Sequence, residues 1–309
     1  MPLNQYWAYG LRIQADMDCP ELPSVSGETG SPDADVTIRL LPPAANALES
    51  LENGYYEVQP GVFRLIVPGV GMYRVEEGRR IFIAPLPDAP ADKLRLFLLG
   101  SAMGALLYQR GLFPLHGSAI ETPWGAMIFV GAQGAGKSTL AAQFHRKGYR
   151  LLSDDVCAVA ALPEGLQILP ALAQFRLCAD AYERLGTTLG VRFDVDKYVV
   201  PMGEGYCPHP VPLRAIHILV DHDSSTPEFE VLRGFERIQR LLENLYRPHY
   251  LKGQGTQSDL MRMAGLIAQT ATIVAVTRRR DTEAIEGLVG FLESAWAERF
   301  AAYSSKEMD

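Results

Sequence analysis

The chain has 309 residues, enough for one large domain or two modest ones, and its 48% hydrophobic and 21% charged residues belong to a protein that buries a core, not to a disordered or fibrous chain. Its 29 Lys and Arg stand against 36 Asp and Glu for a formal net charge of −7, which argues against a nucleic acid or an anionic membrane surface as partner. The four cysteines, Cys19, Cys157, Cys178 and Cys207, form no CxxC pair, so neither a zinc knuckle nor a disulfide framework is indicated and a reducing cytoplasm fits best.

In chain order, residues 1–21 lack a basic n-region followed by an apolar h-region, so no signal peptide is expected. Short strands are predicted over 6–13, 36–41, 55–58, 62–67, 71–75 and 80–83, with a polar loop at 27–35 and turns at Pro60-Gly61 and Glu77-Gly78. These make a small β-rich N-terminal domain, 1–90. Residues 92–110 repeat apolar positions at helical spacing and stop at Gly111, a reasonable C-cap, and the helix is apolar nearly all round. The longest apolar run, 96–108, falls short of the roughly 20 residues that a membrane helix requires. From Leu115 the pattern becomes a strand over 115–120, a turn over 121–125, a strand over 126–130, a glycine-rich loop, a helix over 137–147 closed by Gly148, and a strand over 149–153. A hairpin feeding a β-α-β unit calls for an α/β fold, a mixed sheet layered with helices, over 91–309. Further strands are predicted over 215–220 and 272–277, and helices over 235–244, 258–268 and 282–299.

Gly131-Ala132-Gln133-Gly134-Ala135-Gly136-Lys137-Ser138 fits G-x-x-x-x-G-K-[ST] in full, between an apolar strand and a helix that continues with Thr139. Such glycines let the backbone wrap closely enough for its N–H groups to meet phosphate oxygens, the helix N-terminus adds partial positive charge, the lysine reaches the β- and γ-phosphates, and the serine ligates Mg²⁺. ATP with Mg²⁺ is the expected cofactor pair. A mere glycine turn is the bland alternative, and the register of strand, loop and helix speaks against it. Asp154-Asp155 closes the strand after the loop helix, and strand ends at the carboxyl edge of an open α/β sheet surround the ligand site. One aspartate would hold the metal and the other accept a proton from an attacking hydroxyl, with spacing unable to say which; the bland reading is a solvated acidic turn. His116 begins the strand that pairs with the one entering the loop. The hairpin puts it at the end from which the loop departs, where an imidazole could touch phosphate, although a histidine satisfied inside the fold is the commoner case.

Arg176, Lys197, Arg214 and Arg247 are candidate clamps for phosphate or substrate, set against the ordinary reading of solvated surface. The run Arg278-Arg279-Arg280 is explained by a solvated sheet edge. His209, His217, His222 and Asp221 or Asp223 do not reproduce a metal-ligand spacing, so no metal is expected beyond the nucleotide's Mg²⁺.

Leu115-His116-Gly117-Ser118-Ala119, the stretch from Phe129 through Thr139, and Gly148-Tyr149-Arg150-Leu151-Leu152-Ser153-Asp154-Asp155-Val156 together resemble the catalytic core of the bacterial HPr kinase/phosphorylase family. The resemblance is strongest over 113–160 and looser over 197–220, with Lys197 and Val211-Pro212-Leu213, and over 272–291. Tyr9-Gly10-Leu11, Leu98-Leu99-Gly100 and Gln109-Arg110-Gly111 are similar to the divergent HPr-kinase-like proteins found beside peptide-modification genes, lasso-peptide precursor kinases among them. The resemblance implies transfer of the γ-phosphoryl of ATP to a serine hydroxyl of a peptide or small protein. It gives catalytic roles to Lys137, Asp154, Asp155 and His116, gives metal contacts to Ser138, Asp154 and Asp155, and makes Lys197 a phosphate contact. The Glu-x-Arg-Gly-Leu-Gly stretch of true HPr kinases is missing; the region reads Gln174-Phe175-Arg176-Leu177-Cys178-Ala179-Asp180, which puts HPr itself, and the reverse phosphorylase reaction, in doubt as part of its activity. A homo-oligomer is compatible with the resemblance, but the hexamer of the true enzymes does not carry over, because the N-terminal domain differs. The rival readings are a small-molecule hydroxyl kinase, and a nucleotide-binding regulatory module without turnover, for which a base would be superfluous.

Overall fold

Tyr9 and Gly10 both take left-handed backbone angles (φ 55° and 68°), and the strand expected in one piece over 6–13 is therefore a tight hairpin of β1 (Asn4–Ala8) and β2 (Leu11–Ala15), with Ala8 opposite Leu11. The computed structural model describes residues 4–24, 34–43, 55–186, 190–194, 197–222, 226–253, 255–279 and 282–301; most of the polar loop expected at 27–35 lies outside them. The chain divides into two units, residues 1–114 with 245–263, and residues 115–244 with 264–309.

In the first unit, β3 (Val36–Leu40), β4 (Tyr56–Gln59), β5 (Val62–Val67), β6 (Gly71–Glu76) and β7 (Arg80–Pro85) join β1 and β2 in a seven-stranded sheet of order β1-β2-β3-β7-β6-β5-β4. Ile38, Phe63, Tyr73, Val75, Ile81 and Ile83 are fully buried, as period-two alternation against a core requires. The helix expected over 92–110 is α1 (Ala91–Phe97) and α2 (Met103–Gln109) joined by a π-helical turn, Leu98–Ala102. Every residue from 98 to 108 is buried, and the run packs on β6, with Tyr73 Oη donating to Leu94 O at 2.9 Å. It therefore belongs with the β-rich unit, although the sequence reading opened the second domain at residue 91. Gly111 does close it, at φ 71°.

In the second unit, β8 (Phe113–Thr122), β9 (Gly125–Gly131), β10 (Arg150–Leu162), β11 (Gly165–Leu169), β15 (Val211–Asp221), β16 (Glu228–Val231) and β17 (Thr272–Arg278) form a sheet of order β11-β10-β8-β9-β15-β17-β16. β12 (Gln174–Cys178), β13 (Val191–Asp194) and β14 (Lys197–Pro201) make a separate three-stranded sheet. The helices are α3 (Lys137–Arg146), α4 (Ala179–Leu185), α5 (Glu236–Glu243), α6 (Gln257–Thr270), which begins in the first unit and ends in the second, and α7 (Thr282–Phe300). Thus the fold is mixed α/β. β8 and β9 form the expected hairpin, but β8 lies between β9 and β10, so the two strands flanking α3 are not direct neighbours. The strand expected to end at Ser153 continues to Leu162.

β9, β15 and β17 run parallel, with Leu219 opposite Gly131 and Asp221 opposite Arg278. Their carboxyl ends share one edge of the sheet, which is where ligands bind in open α/β sheets. α3 and α7 cover the sheet through Phe129, Phe144 and Trp296, with ring centroids 5.5 Å apart for Phe129–Phe144 and 5.0 Å for Phe144–Trp296. His217, in the middle of β15, is fully buried among these rings and accepts a hydrogen bond from Trp296 Nε1 at 2.8 Å.

Candidate active site

Gly131 ends β9 at φ 145°, where an added Cβ would lie 2.8 Å from Leu219 O, and Gly136 opens α3 at φ 79°. A side chain at the first would collide with backbone, and at the second would sit in the left-handed region. Between them Gln133 and Gly134 are exposed and Ala135 is buried, as is Lys137 just after them. Lys137 Nζ donates to Gly131 O at 2.9 Å and Ala132 O at 3.0 Å, so the ammonium caps the loop's own carbonyls. Burial pushes its pKa down, against the pull of Asp154 and Asp155. Ser138 and Thr139 are half-buried in the first turn of α3.

Asp154 and Asp155 lie within β10, not at its end as the sequence reading had them. Asp154 is 3% exposed; its Oδ1 accepts from Ser118 Oγ at 2.6 Å and its Oδ2 from the Arg176 backbone N–H at 2.8 Å. Burial pushes its pKa up, opposed by those two hydrogen bonds and by one from Ser138. Adjacent strand residues normally face opposite ways. Here Asp155 takes φ 76°, and both carboxylates meet Arg176, since Arg176 Nη1 lies 3.0 Å from Asp155 Oδ2. His116 Nδ1 lies 3.0 Å from Asp155 O, a contact that needs the proton on Nδ1, and 3.4 Å from Asp155 Oδ1. The two acids are thus set apart: Asp154 is buried and bonded to Ser118 and the Arg176 backbone, while Asp155 is more open and paired with His116 and the Arg176 side chain.

Arg278 corrects the reading of its run as solvated. It is 3% exposed at the carboxyl end of β17, and its guanidinium donates to Ala135 O inside the loop and to Arg279 O at 2.8 Å, with Asp221 Oδ1 at 3.8 Å. The strand-end rule that singled out Asp154 would have found it too. Arg279 is exposed, and Arg280 lies outside the described residues.

Arg247 and Arg214 are engaged by partners of their own. Arg247 is in the first unit, with its guanidinium carbon 5.5 and 5.8 Å from the ring centres of Tyr246 and Tyr250. Arg214 Nε donates to Trp124 O at 2.8 Å, by the turn of the β8–β9 hairpin and so at the far end of β9 from the loop. Lys197 stands opposite Cys178 in the β12–β14 ladder, and its side chain is outside the described residues. His222 N donates to Arg278 O at 2.8 Å, which closes β15 onto β17. Among the described residues no helix is long and apolar enough to cross a membrane.

No family model matches the chain, and no curated protein matches it. Among solved structures it is similar to the Hpr(Ser) kinase/phosphatase from Coxiella burnetii, at 12% identity over 63% of this chain and 97% of that one, with a TM-score of 0.31. That likeness is too slight to carry a function across.

Proposed function

We propose that the chain is an ATP- and Mg²⁺-dependent phosphotransferase that phosphorylates a hydroxyl, most specifically a serine on a peptide or small protein. The observation that carries this reading is the pair of acids with divided settings, Asp154 buried and hydrogen-bonded to Ser118 and to the Arg176 backbone, Asp155 more open beside His116, in a chain that also carries the complete glycine-lysine-serine loop. A site that only bound nucleotide would have no need of the second acid.

The Ser138 hydroxyl and Asp154 carboxylate are hard oxygen donors of the kind Mg²⁺ takes, usually alongside substrate phosphates. Held by these two residues, Mg²⁺ would supply neutralisation of charge on the phosphoryl oxygens. Lys137 exchanges the carbonyls of Gly131 and Ala132 for phosphate oxygens, and the N–H groups of Gln133, Gly134, Ala135, Gly136 and Ser138 cradle them. Asp155 receives the hydroxyl proton, because Asp154 is nearly sealed whereas Asp155 has a side chain 25% exposed. The hydroxyl oxygen bonds to the γ-phosphorus as the β–γ bridge breaks, releasing ADP. His116 orients Asp155 through its carbonyl and Oδ1, and Arg176 holds the other oxygen, so Arg176 positions the base in this reading and is no longer a substrate clamp. Lys197 remains a candidate phosphate contact. A peptide acceptor is supported by the sequence resemblance to the peptide-modifying relatives, and a cytoplasmic setting by ATP and four free cysteines.

The test is mass spectrometry of serine-containing peptides, of HPr, and of a panel of nucleosides, sugars and amino acids after incubation with ATP and Mg²⁺, with Lys137→Ala as the control. Gain of one phosphate on a peptide, lost in the variant, supports the reading. Phosphorylation confined to small molecules would transfer the case to a small-molecule kinase, and equal turnover by Lys137→Ala would remove the loop from the mechanism.

A further inference from the structure

At the turn end of the β8–β9 hairpin, opposite the end that leads into the phosphate loop, three side chains of different chemistry converge: Glu121, Cys207 and His209. We propose that Cys207 Sγ, His209 Nε2 and Glu121 Oε1 form a zinc site, with solvent as the fourth ligand. The site is independent of the phosphotransfer reading.

The ligand atoms lie within 4.8 Å of one another, with Sγ to Nε2 at 3.5 Å and Nε2 to Glu121 Oε1 at 3.5 Å. A tetrahedral zinc with bonds of about 2.3 Å to sulfur and about 2.0 Å to nitrogen or oxygen has S–N edges of about 3.5 Å and N–O edges of about 3.3 Å. The two separations to His209 are close to those edges, and the third pair, within 4.8 Å, has to close to a similar edge by a shift of the Glu121 side chain. Cys207 is fully buried, and its N–H donates to Leu151 O at 2.8 Å. Pro208 and Pro210 flank His209 and restrict its backbone. On the carboxylate, Arg150 Nε and Nη2 both lie 2.6 Å from Glu121 Oε2, which leaves Oε1 directed at His209. A fixed outer partner of this kind orients a metal-binding carboxylate.

The donor set names the metal class. A thiolate with an imidazole selects zinc over magnesium or calcium, and one carboxylate completes a site that zinc accepts. The thiol proton leaves as the sulfur–zinc bond forms. Three protein ligands leave one position open, and Glu121 and Arg150 also line an open cavity of about 590 Å³ together with Lys147, Tyr149 and Glu293. The ion would tie the end of β8 to the segment leading into β15.

The full chain, stripped with a chelator and kept reduced, is titrated with Co²⁺ as a spectroscopic probe and then with Zn²⁺ against a chromophoric chelator. One equivalent of Co²⁺ should give a thiolate-to-cobalt charge-transfer band with tetrahedral d–d bands, displaced by Zn²⁺. Cys207→Ser should lose the band, and Cys178→Ser, which alters an exposed cysteine outside the cluster, should keep it. His209→Ala alters a half-exposed side chain, so its fold is secure, and it should weaken zinc by at least about tenfold. Absence of the band in the unaltered chain, its survival in Cys207→Ser, or equal zinc affinity in His209→Ala would overturn the site.

Discussion

His217 is held neutral because burial pushes its pKa from 6.5 to about 4, and acid should therefore destabilise the second unit through this one side chain. The unfolded chain takes up a proton near pH 6.5, while the folded chain refuses it until about pH 4. Between those values the unfolded state binds more protons, so stability falls as the pH falls. At about 1.4 kcal/mol per unit, the loss relative to pH 7 is about 2 kcal/mol at pH 5 and about 3 kcal/mol at pH 4. The comparison protein is His217→Gln, which does not titrate and can present an acceptor to Trp296 Nε1 near the place of Nε2. Of the three tryptophans, Trp7 belongs to the first unit and Trp124 and Trp296 to the second. Urea titrations followed by fluorescence in a Trp7→Phe background thus report the second unit alone. Stability curves for the two proteins should diverge below pH 6.5; parallel curves down to pH 4 would refute the assignment of the acid response to His217.

Asp155→Asn should lower phosphate transfer by about 10²- to 10⁴-fold with nucleotide still bound, while Asp154→Asn should raise the Mg²⁺ requirement; wild-type rates for both at low Mg²⁺ would make the acids merely structural. Arg278→Ala removes a charged hydrogen bond to the loop worth about 1.5–3 kcal/mol, so ATP-analogue affinity by titration calorimetry should fall by about 10- to 100-fold, and unchanged affinity would separate Arg278 from the loop's function. Gly136→Ala forces a side chain into the left-handed region, 3.3 Å from Arg278 Nη2, and should cost about 1–2 kcal/mol in the second unit's unfolding free energy; an unchanged urea midpoint would contradict the loop conformation.

The glycine-rich turn from β9 into α3 was legible in the sequence because all its determinants are contiguous: strand, glycines, lysine and helix follow one another without help from elsewhere. The acid pair was legible as two adjacent carboxylates but not in its place within the strand. Asp-Asp reads locally as the end of a strand, and β10 passes through it only because Ser118 and Arg176, distant in sequence, satisfy Asp154. Tyr9 hid the first hairpin, since a tyrosine seldom adopts positive φ. Arg278 hid within a triple-arginine run whose ordinary meaning is solvent, and its acceptor is a backbone carbonyl 143 positions away. Such partners leave no periodicity and no motif. The same holds for Glu121, which joins Cys207 and His209 only after the sheet has formed.

The left-handed backbone at Asp155 also bears on what substitution can do at this position. Glycine, asparagine and aspartate tolerate that conformation, whereas branched or bulky residues resist it. The acid can therefore be deleted as Asn or Gly while the kink that turns the strand survives, so shape and reactivity at residue 155 are separable. On the proposed function, a chain of this fold with Gly or Asn there would keep the loop and its lysine but have no proton acceptor: a ready route from a kinase to a sensor of ATP.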